Sequence, residues 1–141
     1  MEYQVKTAHG TLFCRREGSG PLLLLIHGVA CDSEFFREAS AILSKKFTVI
    51  SYDRRGYSRS IPAEGETDFS VWAHADDAAE IIGAELKRKH EEEICLEESE
   101  PQMNGAEEQS TLKDGQNIGF FVAGCSAGGA VTAALATKYP E

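Results

Sequence analysis

The sequence predicts an α/β fold, a three-layer α/β sandwich in which helices cover both faces of a mostly parallel sheet. Two observations carry this prediction. Apolar runs suited to buried strands alternate with segments of helical periodicity along the chain. The run Leu22–Ile26 is continuously apolar, which is typical of a strand covered on both faces. The helices between the strands are long enough for the right-handed crossovers that parallel neighbours require.

Each element follows from a local pattern. Residues 3–7 and 11–15 suit a hairpin across Ala8-His9-Gly10, ahead of the strand Leu22–Ile26. Residues 33–46 have helical spacing, with Asp32 or Ser33 placed to cap the helix. The remaining predicted elements, in order, are a strand over 47–52, a loop over 53–60, a helix over 70–89, a strand over 118–123 and the helix Ala127–Lys138, which Pro140 ends.

Length and composition fit one soluble globular domain. The 141 residues are 42% hydrophobic and 26% charged, which argues against a disordered or fibrous chain. The net charge of −9 argues against a nucleic-acid or anionic-membrane partner. No apolar run approaches the roughly 18 residues of a membrane span, and no secretory signal is visible. The four cysteines form no C-x-x-C pair, so we expect reduced thiols and a cytoplasmic location.

Acidic residues concentrate in one segment. Residues 88–117 contain nine acidic and three basic side chains, no aromatic residue and few large apolar ones. Such a stretch buries too little surface to offset its ordering entropy. We therefore expect an exposed, disordered insertion loop over residues 91–116, within a single domain spanning residues 1–141. An acidic interaction tail is the functional alternative.

The strongest chemical signal is Gly124-Cys125-Ser126-Ala127-Gly128, a G-x-S-x-G motif between the predicted strand 118–123 and an alanine-rich helix. That position is typical of a tight turn that projects a serine hydroxyl above the sheet. The glycines leave room for the turn, because side chains two residues either side of the serine would clash there. A glycine-rich turn that only packs a helix on a strand is the alternative.

Two further motifs follow the first two parallel strands. His27-Gly28-Val29 comes directly after Leu22–Ile26, and Asp53-Arg54-Arg55-Gly56-Tyr57-Ser58-Arg59-Ser60 follows the next strand. Together with the serine motif, these resemble the N-terminal half of the α/β-hydrolase fold superfamily. The second loop is similar to the family pattern D-x-R-G-x-G-x-S, with Ser58 in place of the second glycine, and is mainly structural. The long acidic segment is a second departure, because the family usually joins this helix to the next strand by a short connection.

The resemblance implies a set of roles for individual residues. Ser126 would be the nucleophile, and the backbone N–H groups of Val29 and Ala127 would form the oxyanion hole. Gly124 and Gly128 would be the glycines of the nucleophile turn. His27 would be a loop histidine held by local hydrogen bonds rather than the catalytic base. The substrate would be a small carbonyl compound, and we expect no cofactor and no metal.

The rest of a catalytic triad is not encoded after the serine. In α/β-hydrolases the chain order is Ser, then Asp or Glu, then His. No histidine follows Ser126, and the sole later carboxylate side chain is Glu141. We therefore expect an incomplete α/β-hydrolase fold, the N-terminal fragment of a serine hydrolase that is inactive alone. Such a fragment could arise as a truncated product, as one half of a split protein or as a partial chain.

Two other functions remain open at this stage. The first is a noncatalytic binding module or remnant that keeps the cleft without the triad. The second is a phosphate-binding βαβ unit, because glycine-rich turns at helix N-termini also bind anions. The second is the weaker, since the turn has neither the Lys-Ser/Thr of a P-loop nor the G-x-G-x-x-G spacing of a dinucleotide site.

The incomplete fold also predicts how the chain behaves in solution. The strand from Ile118 to Ala123 would lie at the edge of the sheet, where it carries no charge and no proline to protect it. We therefore expect self-association through this strand, aggregation, or a complementary C-terminal partner chain.

Overall fold

A computed structural model describes residues 1–99 and 119–140. Six described strands form one mixed sheet with the order β1-β2-β4-β3-β6, and the short β5 pairs with β2. β1 and β2 are an antiparallel hairpin, while β3 lies between β4 and β6 and is parallel to both. The strands are β1 (Glu2–Thr7), β2 (Gly10–Glu17), β3 (Leu22–Ile26), β4 (Thr48–Tyr52), β5 (Ile61–Pro62) and β6 (Phe120–Gly124).

The helices connect the strands in alternation. A 3₁₀ turn over Ser33–Phe36 leads into α1 (Arg37–Leu43), followed by α2 (Val71–Ser99) and α3 (Ala127–Lys138). Asp32 caps the 3₁₀ turn as predicted, accepting a hydrogen bond of 2.9 Å from the N–H of Glu34. The predicted helix over 33–46 is shorter than expected, because its first turn is 3₁₀ and the α-helix ends at Leu43.

Alternate residues of β3 supply the two sides of the core, because successive side chains of a strand point to opposite faces. Leu22, Leu24 and Ile26 pack in the larger cluster, which includes residues of α2 and α3. Leu23 and Leu25 pack in a smaller cluster with Phe36 and Leu43. The sheet is therefore covered on both faces, which confirms the predicted three-layer α/β sandwich.

The prediction that the second helix ends at Lys89 is wrong. α2 continues to Ser99, so the first nine residues of the predicted acidic loop are helical. Glutamate is a good helix former, and the Glu92 carboxylate lies 3.0 Å from Arg16 Nη2. The remainder of that loop, residues 100–116, lies outside the described residues. None of the helices in the described part of the chain is long and apolar enough to cross a membrane.

The last strand starts later than predicted and occupies an edge. β6 begins at Phe120 and ends at Gly124, and Ile118 lies outside the described residues. Within the part of the chain that the structure describes, β6 pairs with β3 alone and its other side is open. Phe121 is 55% exposed there, with one ring contact to Phe47 at 5.7 Å between centroids.

Candidate active site

Ser126 occupies a sharp turn between β6 and α3. Its backbone angles are φ 53° and ψ −120°, a conformation that residues with a side chain rarely adopt. Such strain costs on the order of 1–3 kcal/mol and persists where the surrounding structure imposes it. Here the N–H of Cys125 donates to the carbonyl of Ile26 at 3.0 Å, which fixes the entry to the turn. Ser126 itself takes the N-cap position of α3.

The two glycines of the motif sit where no side chain fits. A Cβ added to Gly128 would collide with the carbonyl oxygen of Ile26. A Cβ added to Gly124 would collide with the carbonyl oxygen of Gly128. Backbone therefore packs directly on backbone on both sides of Ser126, and this close packing holds α3 against the end of β3.

The loop after β3 meets this turn, because parallel neighbours end at the same edge of a sheet. A Cβ added to Gly28 would lie 3.1 Å from Ser126 Cβ and 3.6 Å from Ser126 Oγ. Val29 follows this contact by one residue, and Ala127 follows Ser126 at the start of α3. Neither of their N–H groups donates a hydrogen bond to a described residue. The structure thus brings Gly28, the residue before Val29, against Ser126, the residue before Ala127.

Two side chains bind the peptide that joins Gly28 to Val29. The Gly28 carbonyl oxygen lies 2.9 Å from Arg54 Nη2 and 2.8 Å from His27 Nδ1. His27 Nε2 accepts from the backbone N–H of Arg54 at 2.9 Å, so the neutral ring carries its proton on Nδ1 and donates it to Gly28. Burial, together with the nearby Arg54 guanidinium, lowers the pKa of His27. Both ring nitrogens are occupied, so His27 is a loop histidine, as expected.

The loop after β4 is a network of buried charges. The carboxylate of Asp53 accepts from the N–H of Ser33 at 2.9 Å and from Arg59 Nε at 2.8 Å. Arg55 forms a two-point ion pair with Asp77 of α2. These contacts fasten the loop to the 3₁₀ turn and to α2, in line with the structural role expected for this motif. Sequence reasoning missed Arg54, because an arginine in a charged loop looks like a surface residue.

The histidines other than His27 lie in the first hairpin and on α2. His9 is in the first hairpin, with Nδ1 2.7 Å from Glu66 Oε2. His74 is buried on α2, where burial lowers its pKa to about 4, and His90 is exposed on the same helix. Within the described residues no histidine hydrogen-bonds to Ser126. Within residues 1–99 and 119–140, no group of three His, Cys, Asp or Glu residues could hold a metal ion.

A mixed sheet with helices on both faces and a strained serine turn at the carboxyl end of a parallel strand defines an α/β protein of the hydrolase fold class. The family model described as "alpha/beta hydrolase fold" matches residues 21–90. That range contains the His-Gly pair and the loop after β4 but ends before Ser126. The chain belongs to the α/β-hydrolase fold superfamily, as its motifs predict.

Known relatives agree with this assignment. The chain is 42% identical over 65 residues to the uncharacterized hydrolase YraK of Bacillus subtilis, covering 46% of this chain and 24% of that protein. It is 40% identical over 80 residues to 2-(acetamidomethylene)succinate hydrolase of Mesorhizobium japonicum, covering 57% of this chain and 28% of that protein. These alignments therefore span about a quarter of each relative's length.

A solved structure gives the same fold over a longer range. A mutant N-acyl homoserine lactonase in complex with N-hexanoyl homoserine superposes with a TM-score of 0.70 and 23% identity. The superposition covers 100% of this chain and 42% of the lactonase chain. At this identity the similarity shows the fold alone.

Proposed function

We propose that the protein provides the nucleophile and oxyanion hole of a serine hydrolase that cleaves an ester, an amide or a related carbonyl substrate. The observation that carries this proposal is the contact between the strained Ser126 turn and Gly28. A serine hydroxyl becomes a useful nucleophile only with a base. The histidine that takes its proton, and the aspartate that orients that histidine, would come from residues outside these 141.

The proposed reaction proceeds through an acyl-enzyme. Ser126 Oγ bonds to the substrate carbonyl carbon as its proton passes to the base, and the carbonyl oxygen becomes an oxyanion. Collapse of this intermediate breaks the bond to the leaving group, which takes the proton. Water then attacks the acyl group and releases the acid and free Ser126.

Two backbone N–H groups would hold the oxyanion. Val29 and Ala127 flank the Gly28–Ser126 contact, and neither N–H donates to a described residue. Ala127 is also the first residue of α3, whose N-terminus carries partial positive charge. Removing one donor from an oxyanion hole typically costs about 10²–10³ in rate, so donors fixed in advance supply much of the catalysis.

The relatives support a hydrolase in general terms. One is named as a hydrolase of 2-(acetamidomethylene)succinate, and another as an uncharacterized hydrolase. A noncatalytic binding module is the second candidate. The observation that favours it is that none of His9, His27 and His74 hydrogen-bonds to Ser126 in the described residues.

Labelling with an alkyl fluorophosphonate separates the two candidates, because the reagent bonds to a nucleophilic serine without a known substrate. Peptide mass spectrometry would locate the adduct, and a p-nitrophenyl ester assay would measure turnover. Ser126→Ala is the test variant, and Ser19→Ala, an exposed serine ahead of β3, is the matched control.

We expect slow stoichiometric labelling at Ser126, lost in Ser126→Ala and kept in Ser19→Ala, with little ester turnover. Equal labelling of Ser126 and other serines would contradict the proposal and favour the binding module. Fast ester turnover that depends on Ser126 would contradict the placement of the base outside these residues. Binding and an oxyanion hole alone supply only about 10³–10⁴ over the uncatalysed rate.

A further inference from the structure

We propose that Arg54 is a positioning residue, which fixes the peptide between Gly28 and Val29 so that the Val29 N–H faces the reacting carbonyl oxygen. The inference rests on the proposed function, and it assigns a role to a side chain that no motif of the sequence singles out. It follows from the two hydrogen bonds to the Gly28 carbonyl and from the burial of the Arg54 guanidinium.

The peptide is bound through its oxygen. Arg54 Nη2 and His27 Nδ1 both donate to the Gly28 carbonyl, at 2.9 and 2.8 Å, and both bonds are buried. A trans peptide is planar, so its N–H points away from its C=O. With the oxygen held inward by this pair, the Val29 N–H is directed to the opposite side. Gly28 itself lies against Ser126, and the proposal places the Val29 N–H on the side from which a substrate would approach Ser126.

Within the part of the chain that the structure describes, Arg54 differs from Arg55 and Arg59 in having no carboxylate partner. Arg55 pairs with Asp77, and Arg59 pairs with Asp53. Arg54 is only 3% exposed, yet among the described residues it forms no ion pair, and its Nε has no hydrogen-bond partner. Burying an uncompensated charge is costly, so stability alone does not account for an arginine at this position.

The guanidinium is held rigidly where it is. It stacks over the Tyr57 ring at 4.4 Å from the centroid, and the Tyr57 ring contacts His27 edge to face at 5.1 Å. Cation–π contact offsets part of the burial cost. The positive charge of the Arg54 guanidinium beside the Gly28 oxygen also polarises the peptide, which makes the Val29 N–H a stronger donor. Arg54 would thus aim the donor and strengthen it, without touching the substrate.

Three variants of the full chain test the role. Arg54→Met keeps the bulk that packs on Tyr57 but cannot donate, and Arg54→Lys restores a positive donor. Arg59→Met is the matched control, because it removes an arginine from the same loop without touching Gly28. The readouts are the Gly28 ¹³C carbonyl and Val29 ¹⁵N chemical shifts, and the rate of Ser126 phosphonylation by an alkyl fluorophosphonate.

We expect Arg54→Met to shift the Gly28 carbonyl and Val29 amide signals and to slow phosphonylation about tenfold or more, as a misplaced oxyanion donor does. Arg54→Lys should recover part of both effects. Arg59→Met should lower thermal stability while leaving the two signals and the rate near wild type. An unchanged Gly28 carbonyl shift and rate in Arg54→Met would overturn the inference. No phosphonylation of the wild-type Ser126 would instead overturn the proposed function, while the chemical shifts would still report on Arg54.

Discussion

Gly128 at the start of α3 packs directly against the carbonyl oxygen of Ile26 at the end of β3, with no space between them for a Cβ. This backbone contact sets the depth at which α3 meets the sheet and therefore the position of Ser126. The next residue of the same helix is different, since a Cβ on Gly129 would meet only the carbonyl oxygen of Gly124, at an ordinary 3.6 Å.

The two adjacent glycines give the first prediction. Gly128→Ala should lower the free energy of unfolding by about 2–3 kcal/mol, because backbone atoms must move to admit the methyl group. Gly129→Ala should raise it by up to about 1 kcal/mol, because alanine favours the helix over glycine. Urea denaturation measures both values. Equal effects of the two substitutions would contradict the proposed close contact.

The ion pair between Arg55 and Asp77 gives the second prediction. Its two contacts are 2.6 and 3.0 Å, and both side chains are almost fully buried. Asp77→Asn should lower the free energy of unfolding by about 1.5–3 kcal/mol, because the buried Arg55 loses its two-point partner and keeps only the Glu66 carboxylate, 3.3 Å from Nη1. Asp76→Asn is the matched control. Asp76 pairs with Lys138 near the surface, where an ion pair contributes about 1 kcal/mol or less. A similar loss in both variants, measured by urea denaturation, would argue against a buried pair.

The pH dependence of stability gives the third prediction. Burial, aided by Arg54, Arg55 and His27, lowers the pKa of His74 to about 4, while Asp68 opposes the shift. The Asp77 carboxylate lies 3.9 Å from His74 Nδ1. Unfolded histidine has a pKa of about 6.5, so at pH 5 the unfolded chain holds a proton that the folded chain does not. The contribution of His74 is therefore complete above about pH 6.5, falls as the pH is lowered and levels off below about pH 4.

The size of that effect can be measured with two variants. Through His74 alone the protein should be about 2 kcal/mol less stable at pH 5 than at pH 8. His74→Gln should remove this part of the difference in the free energy of unfolding. His90→Gln, which changes an exposed histidine of the same helix, should keep it. If His74→Gln and wild type show the same difference between the two pH values, His74 is not buried in its neutral form.

The exposed edge of β6 gives the fourth prediction. Within the described residues this strand pairs on one side only, contains no charge or proline and exposes Phe121. We expect the chain to self-associate through this edge, and Phe121→Lys to weaken the association by placing a charge on it. Ile42→Lys, on the exposed surface of α1, is the control that should leave it unchanged. Sedimentation velocity checks this, and a wild-type chain as monomeric as Phe121→Lys would contradict it.

Local sequence predicted most of the secondary structure. The strand Leu22–Ile26 and the helix Ala127–Lys138 have the predicted bounds, because a continuous apolar run and a proline stop are strong local signals. The end of α2 could not be predicted in this way. Its glutamates favour a helix individually, while their density resembles that of a disordered loop, and contact with Arg16 of β2 is not visible in the local sequence.

Part of the candidate site was also predictable from local sequence motifs, and part was not. The G-x-S-x-G and His-Gly motifs predicted roles for Ser126 and for Val29 in the loop after β3, and parallel pairing of β3 with β6 brings Gly28 of that loop against Ser126. Arg54 could not be identified, because its role depends on a carbonyl 26 residues earlier in the chain. Arg54 and Gly28 come close because β3 and β4 pair, and no local sequence pattern encodes that pairing.

The most direct test of the account is a crystal structure of the chain with Ser126 phosphonylated by an alkyl fluorophosphonate. The phosphoryl oxygen of this adduct stands in for the oxyanion of the acyl-transfer intermediate. We predict that it lies about 2.7–3.1 Å from the backbone nitrogens of both Val29 and Ala127, as in a formed oxyanion hole. A phosphoryl oxygen turned to solvent, or one bound by neither N–H, would contradict the assignment of Ser126, Val29 and Ala127 to one catalytic site.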